Sequence, residues 1–244
     1  MKLFVTSSPY IDGADRALLS NANRFVDRIR AVLPPYPNVV FVCSNPEDHG
    51  GVCRFAAETS AAFLEAGIPF GSYQVLSGGT VSRAYAMISH SDFVVLSGGH
   101  VPTQNAFFRK IRLRHLLHKY EGVVMGISAG SMNCAGEVYV QPEEPGESTD
   151  PNYKRFAPGL GLTWVNVCPH FQKVRNMMLD GKRLFEDITF HDSMGRQFFA
   201  LPDNSYFYQD EDGLYLCGEA YRIKDGILEH LTVDGEVLDM AQLY

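Results

Sequence analysis

Five short apolar runs punctuate the first half of the chain, at residues 3–5, 39–42, 73–76, 93–96 and 123–125. Each is continuous rather than alternating, the pattern of strands buried on both faces of a parallel sheet. Between them, residues 14–33, 52–66, 81–89 and 103–120 repeat apolar positions at three- and four-residue spacing, which predicts helices with one inward face. Gly67 follows the second of these and Pro69 lies just beyond, a helix-stop signal. The β-α-β-α order predicts an α/β fold: a doubly wound, mostly parallel sheet with helices on both faces and right-handed crossovers.

The character changes after about residue 137. Residues 141–150 are acidic with Pro and Gly and read as a surface loop. Short strands are expected at 163–167, 198–201, 206–209 and 214–217, with one helix near 173–185. In the tail, Asp225-Gly226 and Asp234-Gly235 sit between apolar residues, the signature of tight hairpins, so a C-terminal β-hairpin extension is expected. Neither a repeat nor a linker interrupts the chain, and residues 1–244 are read as one domain of a size common among α/β folds.

Charge and cysteine usage narrow the function. With 21 Lys+Arg against 28 Asp+Glu the net charge is −7, which argues against nucleic acid or an acidic membrane surface as a partner. The opening residues lack a secretory apolar core, and no later run reaches the length of a membrane span. Five scattered cysteines without a CxxC pair point to reduced thiols and a cytoplasmic location rather than a disulfide framework or structural zinc.

The richest segment runs from the strand at 123–125 into Gly126-Ile127-Ser128-Ala129-Gly130 and then a helix-compatible stretch. A serine on a sharp strand-to-helix turn is lifted above the sheet, and the amide that follows, that of Ala129, faces a developing oxyanion. Ser128 is therefore a candidate nucleophile, which needs a base. Among eight histidines, His170 alone sits at the end of an apolar strand, where a loop would present it on the same rim. His115 and His118, three apart in the basic stretch 109–119, read as a solvated face rather than metal ligands. The acid that would orient His170 is Asp203, at another strand end, or Glu143 in the acidic loop. Ser97-Gly98-Gly99-His100 closes a fourth strand, and its glycines allow a second oxyanion amide or a phosphate cradle. Nothing in the pattern calls for a metal or an organic cofactor.

Taken in order, these segments resemble the dipeptidase E family of serine peptidases, the aspartyl dipeptidase and cyanophycinase group, whose fold is similar to that of class I glutamine amidotransferases. That family carries a Gly-Gly-Gly-Asn turn, a Gly-x-Ser-Ala-Gly elbow, a Pro-His-Phe segment and a Leu-Pro-Glu-Gly segment. The counterparts are Ser97-Gly98-Gly99-His100, Gly126-Ile127-Ser128-Ala129-Gly130, Pro169-His170-Phe171 and Leu201-Pro202-Asp203-Asn204, and the resemblance extends to about residue 210. It implies Ser128 as nucleophile, His170 as base, and Gly99 and Ala129 as oxyanion amides. For the acid it leaves Asp203 or Glu143, and the strand-end setting of Asp203 favours it. His100 stands where the family has asparagine and is expected to line the substrate pocket.

The reading is thus a serine peptidase of small peptides acting through a Ser-His-acid triad and an acyl-enzyme, with a homodimer as one option for its assembly. Two other readings are an idle amidotransferase-like module that binds a ligand, and a small-molecule esterase. The esterase is disfavoured because α/β-hydrolases place their acid between serine and histidine.

Overall fold

The computed structural model, which describes residues 1–243, is organised by an eight-stranded sheet. Strands β1 (Lys2–Thr6), β2 (Asn38–Val42), β3 (Ser72–Leu76), β4 (Phe93–Leu96) and β5 (Val123–Ile127) form its parallel part in the order β3-β2-β4-β5-β1. Three antiparallel strands, Tyr206–Gln209, Leu214–Cys217 and Val237–Asp239, extend it beyond β1.

Alternate side chains of each strand feed two cores, as the two-residue strand period requires. On one face, Phe4, Phe41 and Phe93 meet α1 (Phe25–Val32) and α2 (His49–Glu65) through Phe25, Ile29, Ala62 and Phe63. On the other, Leu3, Val40, Val94 and Val124 meet α3 (Ala84–Ser89), α4 (Val101–Lys110), α5 (Leu113–Leu117) and α6 (Ala129–Met132) through Met87, Phe107, Leu117 and Met132. Each such side chain contributes roughly 1.5–3 kcal/mol by leaving water. The fold is the expected α/β architecture, helices covering both sheet faces. Among the described residues no helix is long and apolar enough to cross a membrane.

Where helices differ from expectation, backbone breaks are the cause. The run predicted over 14–33 narrows to α1, because Asn23 and Arg24 take φ of 53° and 60° and the preceding loop closes on itself through a Tyr10–Leu19 bridge. The run over 103–120 divides into α4 and α5 at Arg112, whose φ is 53°. In place of one helix over 173–185 there is a short helix Phe171–Val174, a small hairpin of Met178–Leu179 with Lys182–Arg183, and a helical turn beginning at Leu184. The end of α2 is as expected: Gly67 donates to Leu64 O and Ile68 to Phe63 O, the paired bonds of a glycine-terminated helix.

A second, four-stranded sheet has the order Ile227–Thr232, Ala220–Lys224, Gln197–Ala200, Val167–Cys168, its last two strands parallel. Only the end of the strand predicted at 163–167 is realised in it. Asp225-Gly226 closes a hairpin, with φ of 50° and 76° as a two-residue turn demands. Asp234-Gly235 does not. There the chain leaves the second sheet after Thr232 and enters the large sheet at Val237, beside Leu214–Cys217. The C-terminal extension is therefore one hairpin followed by an edge strand of the other sheet.

Candidate active site

The carboxyl ends of β4, β5 and β1 lie abreast, since Leu96 pairs with Gly126 and Thr6 with Ile127. Ser128 follows β5 in a sparsely populated conformation, φ 50° and ψ −111°. Its amide is shared between Thr6 O at 3.1 Å and Ser7 O at 3.0 Å, which offsets that strain. The turn can be this tight because Gly130 has no side chain: a Cβ there would lie 2.3 Å from Leu96 O. Gly98 lies directly alongside, its notional Cβ 3.5 Å from that of Ser128.

The second sheet supplies the remaining groups. Cys168 and Ala200 are partners in parallel strands, so the loops that follow emerge side by side. One carries His170 and the other Asp203. His170 Nδ1 is 2.7 Å from Asp203 Oδ1, and its Nε2 is 2.9 Å from Ser128 Oγ. An ionised carboxylate only accepts, so Nδ1 carries the ring proton and, in the neutral ring, Nε2 accepts from the serine hydroxyl. The His170 side chain is 33% exposed and that of Asp203 only 4%, so the imidazole reaches the surface while the acid stays inside.

Burial alone would raise the Asp203 carboxyl. Hydrogen bonds from His170, Lys173 and Ser7 overcome it and hold the group well below the usual carboxylate range. Gln172 Nε2 and Lys173 Nζ reach Oδ2 at 2.7 and 2.9 Å.

The sequence profile of peptidase family S51 matches residues 15–216, more than half of the chain. The chain belongs to peptidase family S51. This S51 peptidase is accordingly a serine-type peptidase. Its fold is similar to the crystal structure of "a Putative Peptidase E Protein from Listeria monocytogenes EGD-e", with 14% identity, a TM-score of 0.61, and coverage of 95% of this chain and 98% of that one. No curated protein matches the sequence.

Other residues singled out in the S51 peptidase sit as follows. Glu143 is not beside His170. Its Oε1 accepts the Val101 amide at 3.2 Å, at the start of α4, and burial of the carboxyl there raises it. His100 follows the glycine turn with both ring nitrogens engaged, Nδ1 by Thr103 Oγ1 at 2.7 Å and Nε2 by Glu147 Oε1 at 2.8 Å. Glu147 also accepts the amides of Glu143 and Glu144, which together with His100 lower its carboxyl against the effect of burial. Donor atoms of His100, Glu144 and Glu147 lie within 4.8 Å of one another, a spacing a cation could use, although His100 and Glu147 already satisfy each other. Among the described residues the amides of Gly99 and Ala129 donate to no protein acceptor, which leaves both free for a ligand oxygen.

Two features escaped the sequence reading. Ser7, fully buried, accepts the His170 amide at 2.7 Å and donates to Asp203 Oδ1 at 2.9 Å. One hydroxyl thus ties together backbone and side chain of the two groups behind Ser128. The glycine turn, in addition, is anchored by three buried amides. Gln104 Nε2 donates to Ser97 O, Asn133 Nδ2 to Gln104 Oε1, and Asn105 Nδ2 to Asn133 Oδ1. In sequence these read as ordinary polar positions of a helix face.

Proposed function

We propose that this S51 peptidase hydrolyses small peptides in the manner of a dipeptidase, through a Ser128–His170–Asp203 triad and an acyl-enzyme. The observation that carries the reading is the unbroken hydrogen-bonded line from Ser128 Oγ through both nitrogens of His170 to a buried, ionised carboxylate. Ser128 Oγ attacks the scissile carbonyl carbon as its proton passes to His170 Nε2. The carbonyl oxygen, now negative, is held by the amides of Gly99 and Ala129. Collapse of the tetrahedral species breaks the C–N bond, and His170 gives its proton to the departing amine. A water then attacks the ester, losing its proton to His170; collapse of the second tetrahedral species breaks the bond to Ser128 Oγ, His170 returns the proton to that oxygen, and the acid product leaves. Asp203 accepts from Nδ1 throughout and stabilises the transient imidazolium without being protonated. His100, partly exposed beside the glycine turn, borders the substrate.

The test is labelling with a fluorophosphonate, read by mass spectrometry, beside turnover of a dipeptide library. Modification of Ser128 that disappears in His170→Ala, with cleavage of dipeptides by the unmodified enzyme, supports the reading. Folded protein that neither labels nor cleaves would leave the ligand-binding module as the better account. Rapid turnover of short acyl esters without peptide cleavage would favour the esterase.

A further inference from the structure

An open cavity of about 750 Å³, whose lining contains none of Ser128, His170 and Asp203, lies where α4 meets α5 and the loop 158–162 packs against them. Its lining contains Arg109, Arg112, Arg114, His115 and His118, and no Asp or Glu. In a chain of net charge −7, so many cations in one concavity are unexpected from composition. Among the described residues none of the three arginines has a carboxylate partner. The Arg114 side chain gives a bond to Gly159 O at 3.3 Å, and among the described residues the side chains of Arg109 and Arg112 give none. Elsewhere on the surface Arg16, Arg183 and Arg222 are each ion-paired.

The local fold builds this concentration. Arg112 adopts a left-handed backbone, which a side-chain-bearing residue rarely takes, and this breaks the helix so that residues 109, 112 and 114 border a common space. The opposite wall is fixed: Leu160, Gly161 and Leu162 donate their amides to Asn133, Ala135 and Cys134, and Asn105 donates to Pro158 O. Phe108, Leu160 and Leu162 give that space an apolar side. A preformed pocket in the ligand-sized range, with an apolar wall and three arginines in its lining, matches carboxylate and phosphate forks on an organic body.

We propose that this cavity binds a small organic polyanion, its phosphate or carboxylate groups on Arg109, Arg112 and Arg114 and its apolar part against Phe108 and Leu160. The proposal is independent of the Ser128 chemistry. It is tested by isothermal titration of the full chain at about 150 mM salt with ATP, citrate and inorganic pyrophosphate as probes. One saturable site per chain is expected for ATP, tighter than for pyrophosphate, which lacks the apolar part. Citrate stronger than pyrophosphate assigns carboxylates, and the reverse assigns phosphates. Arg109→Gln/Arg112→Gln should weaken binding at least tenfold, and Arg54→Gln, an exposed arginine on α2, should not. Should the double variant fold poorly, Arg109→Gln alone, at an exposed helix position, should weaken binding in the same direction. Absence of saturable binding by all three anions, or binding unchanged in the arginine variants, overturns the proposal.

Discussion

Ser7→Ala isolates the contribution of the hydroxyl behind the triad. The substitution removes one oxygen from a fully buried position and leaves the Ser7 carbonyl, which holds the Ser128 amide, in place. Two bonds disappear: the His170 amide loses its acceptor, and Asp203 Oδ1 loses a donor. An unsatisfied buried amide costs about 1–3 kcal/mol, and a bond to an ionised group is worth about 1.5–3 kcal/mol. Asp203 keeps His170, Gln172 and Lys173, so the second loss is cushioned. The His170 amide has no such reserve, and His170 sits at φ 57°, a backbone state that relaxes once its anchor is gone. A stability loss of about 2–3 kcal/mol is expected from these terms. If one to two such bonds' worth of geometry is lost at the imidazole, kcat falls roughly 10- to 100-fold. KM should stay nearly constant, because the perturbation lies behind the reacting groups. Steady-state kinetics on a dipeptide substrate give the split, and urea unfolding gives the stability. Ser7→Thr, which keeps the oxygen, should recover most of kcat. A Ser7→Ala enzyme with kcat within twofold of the parent would refute the positioning argument.

Asp203→Asn should lower kcat by roughly 10³–10⁴-fold, as a misassigned tautomer does, while Glu143→Gln, which can still accept the Val101 amide, should stay within a few-fold; the reverse ranking in kcat/KM would exchange the two acids. Because the folded Asp203 carboxyl lies below its ordinary value, its stabilisation is complete above about pH 4 and fades as pH drops toward the folded value. The melting-temperature gap between parent and Asp203→Asn should therefore narrow progressively once pH falls below about 4, and a gap that is unchanged between pH 5 and pH 3 counts against the shift. Gly99→Ala places a Cβ 2.3 Å from Ser44 Oγ at a φ of 143°. A displaced oxyanion amide should cost about 10²–10³ in kcat, and normal turnover by the purified variant would remove Gly99 from the oxyanion role.

Much of the framework was legible because its determinants are local. Four of the five parallel strands, β1, β2, β4 and β5, are runs buried on both faces, and such a strand has few other ways to exist; β3, at the sheet edge, carries Gln74 and is only half-buried. The elbow was equally legible, since its small residues flank the serine directly. Helix ends were harder: the apolar spacing continues through Leu113 and Leu117, so nothing in the periodicity marks the break at Arg112. Within 173–185 a signal was present but outweighed, since Asp180-Gly181 is a hairpin turn amid helical spacing. Asp203 could be preferred over Glu143 from its strand-end position, and its contact with His170 agrees with that ground. Ser7 could not be found this way. Its side-chain partners lie 163 and 196 positions along the chain, and a serine after a strand has no pattern that announces them.

Ser128 follows a strand of the large sheet and His170 a strand of the small one, while Asp203 sits in the loop that crosses from the small sheet into the large one. In the proposed mechanism, catalysis gauges how faithfully the two sheets are docked. A slip of an ångström between them would uncouple the hydroxyl from its base while both platforms kept their internal ladders intact. Heating or mild denaturant should thus silence the enzyme before circular dichroism registers any melting, and the gap between the two curves would measure the stiffness of the seam.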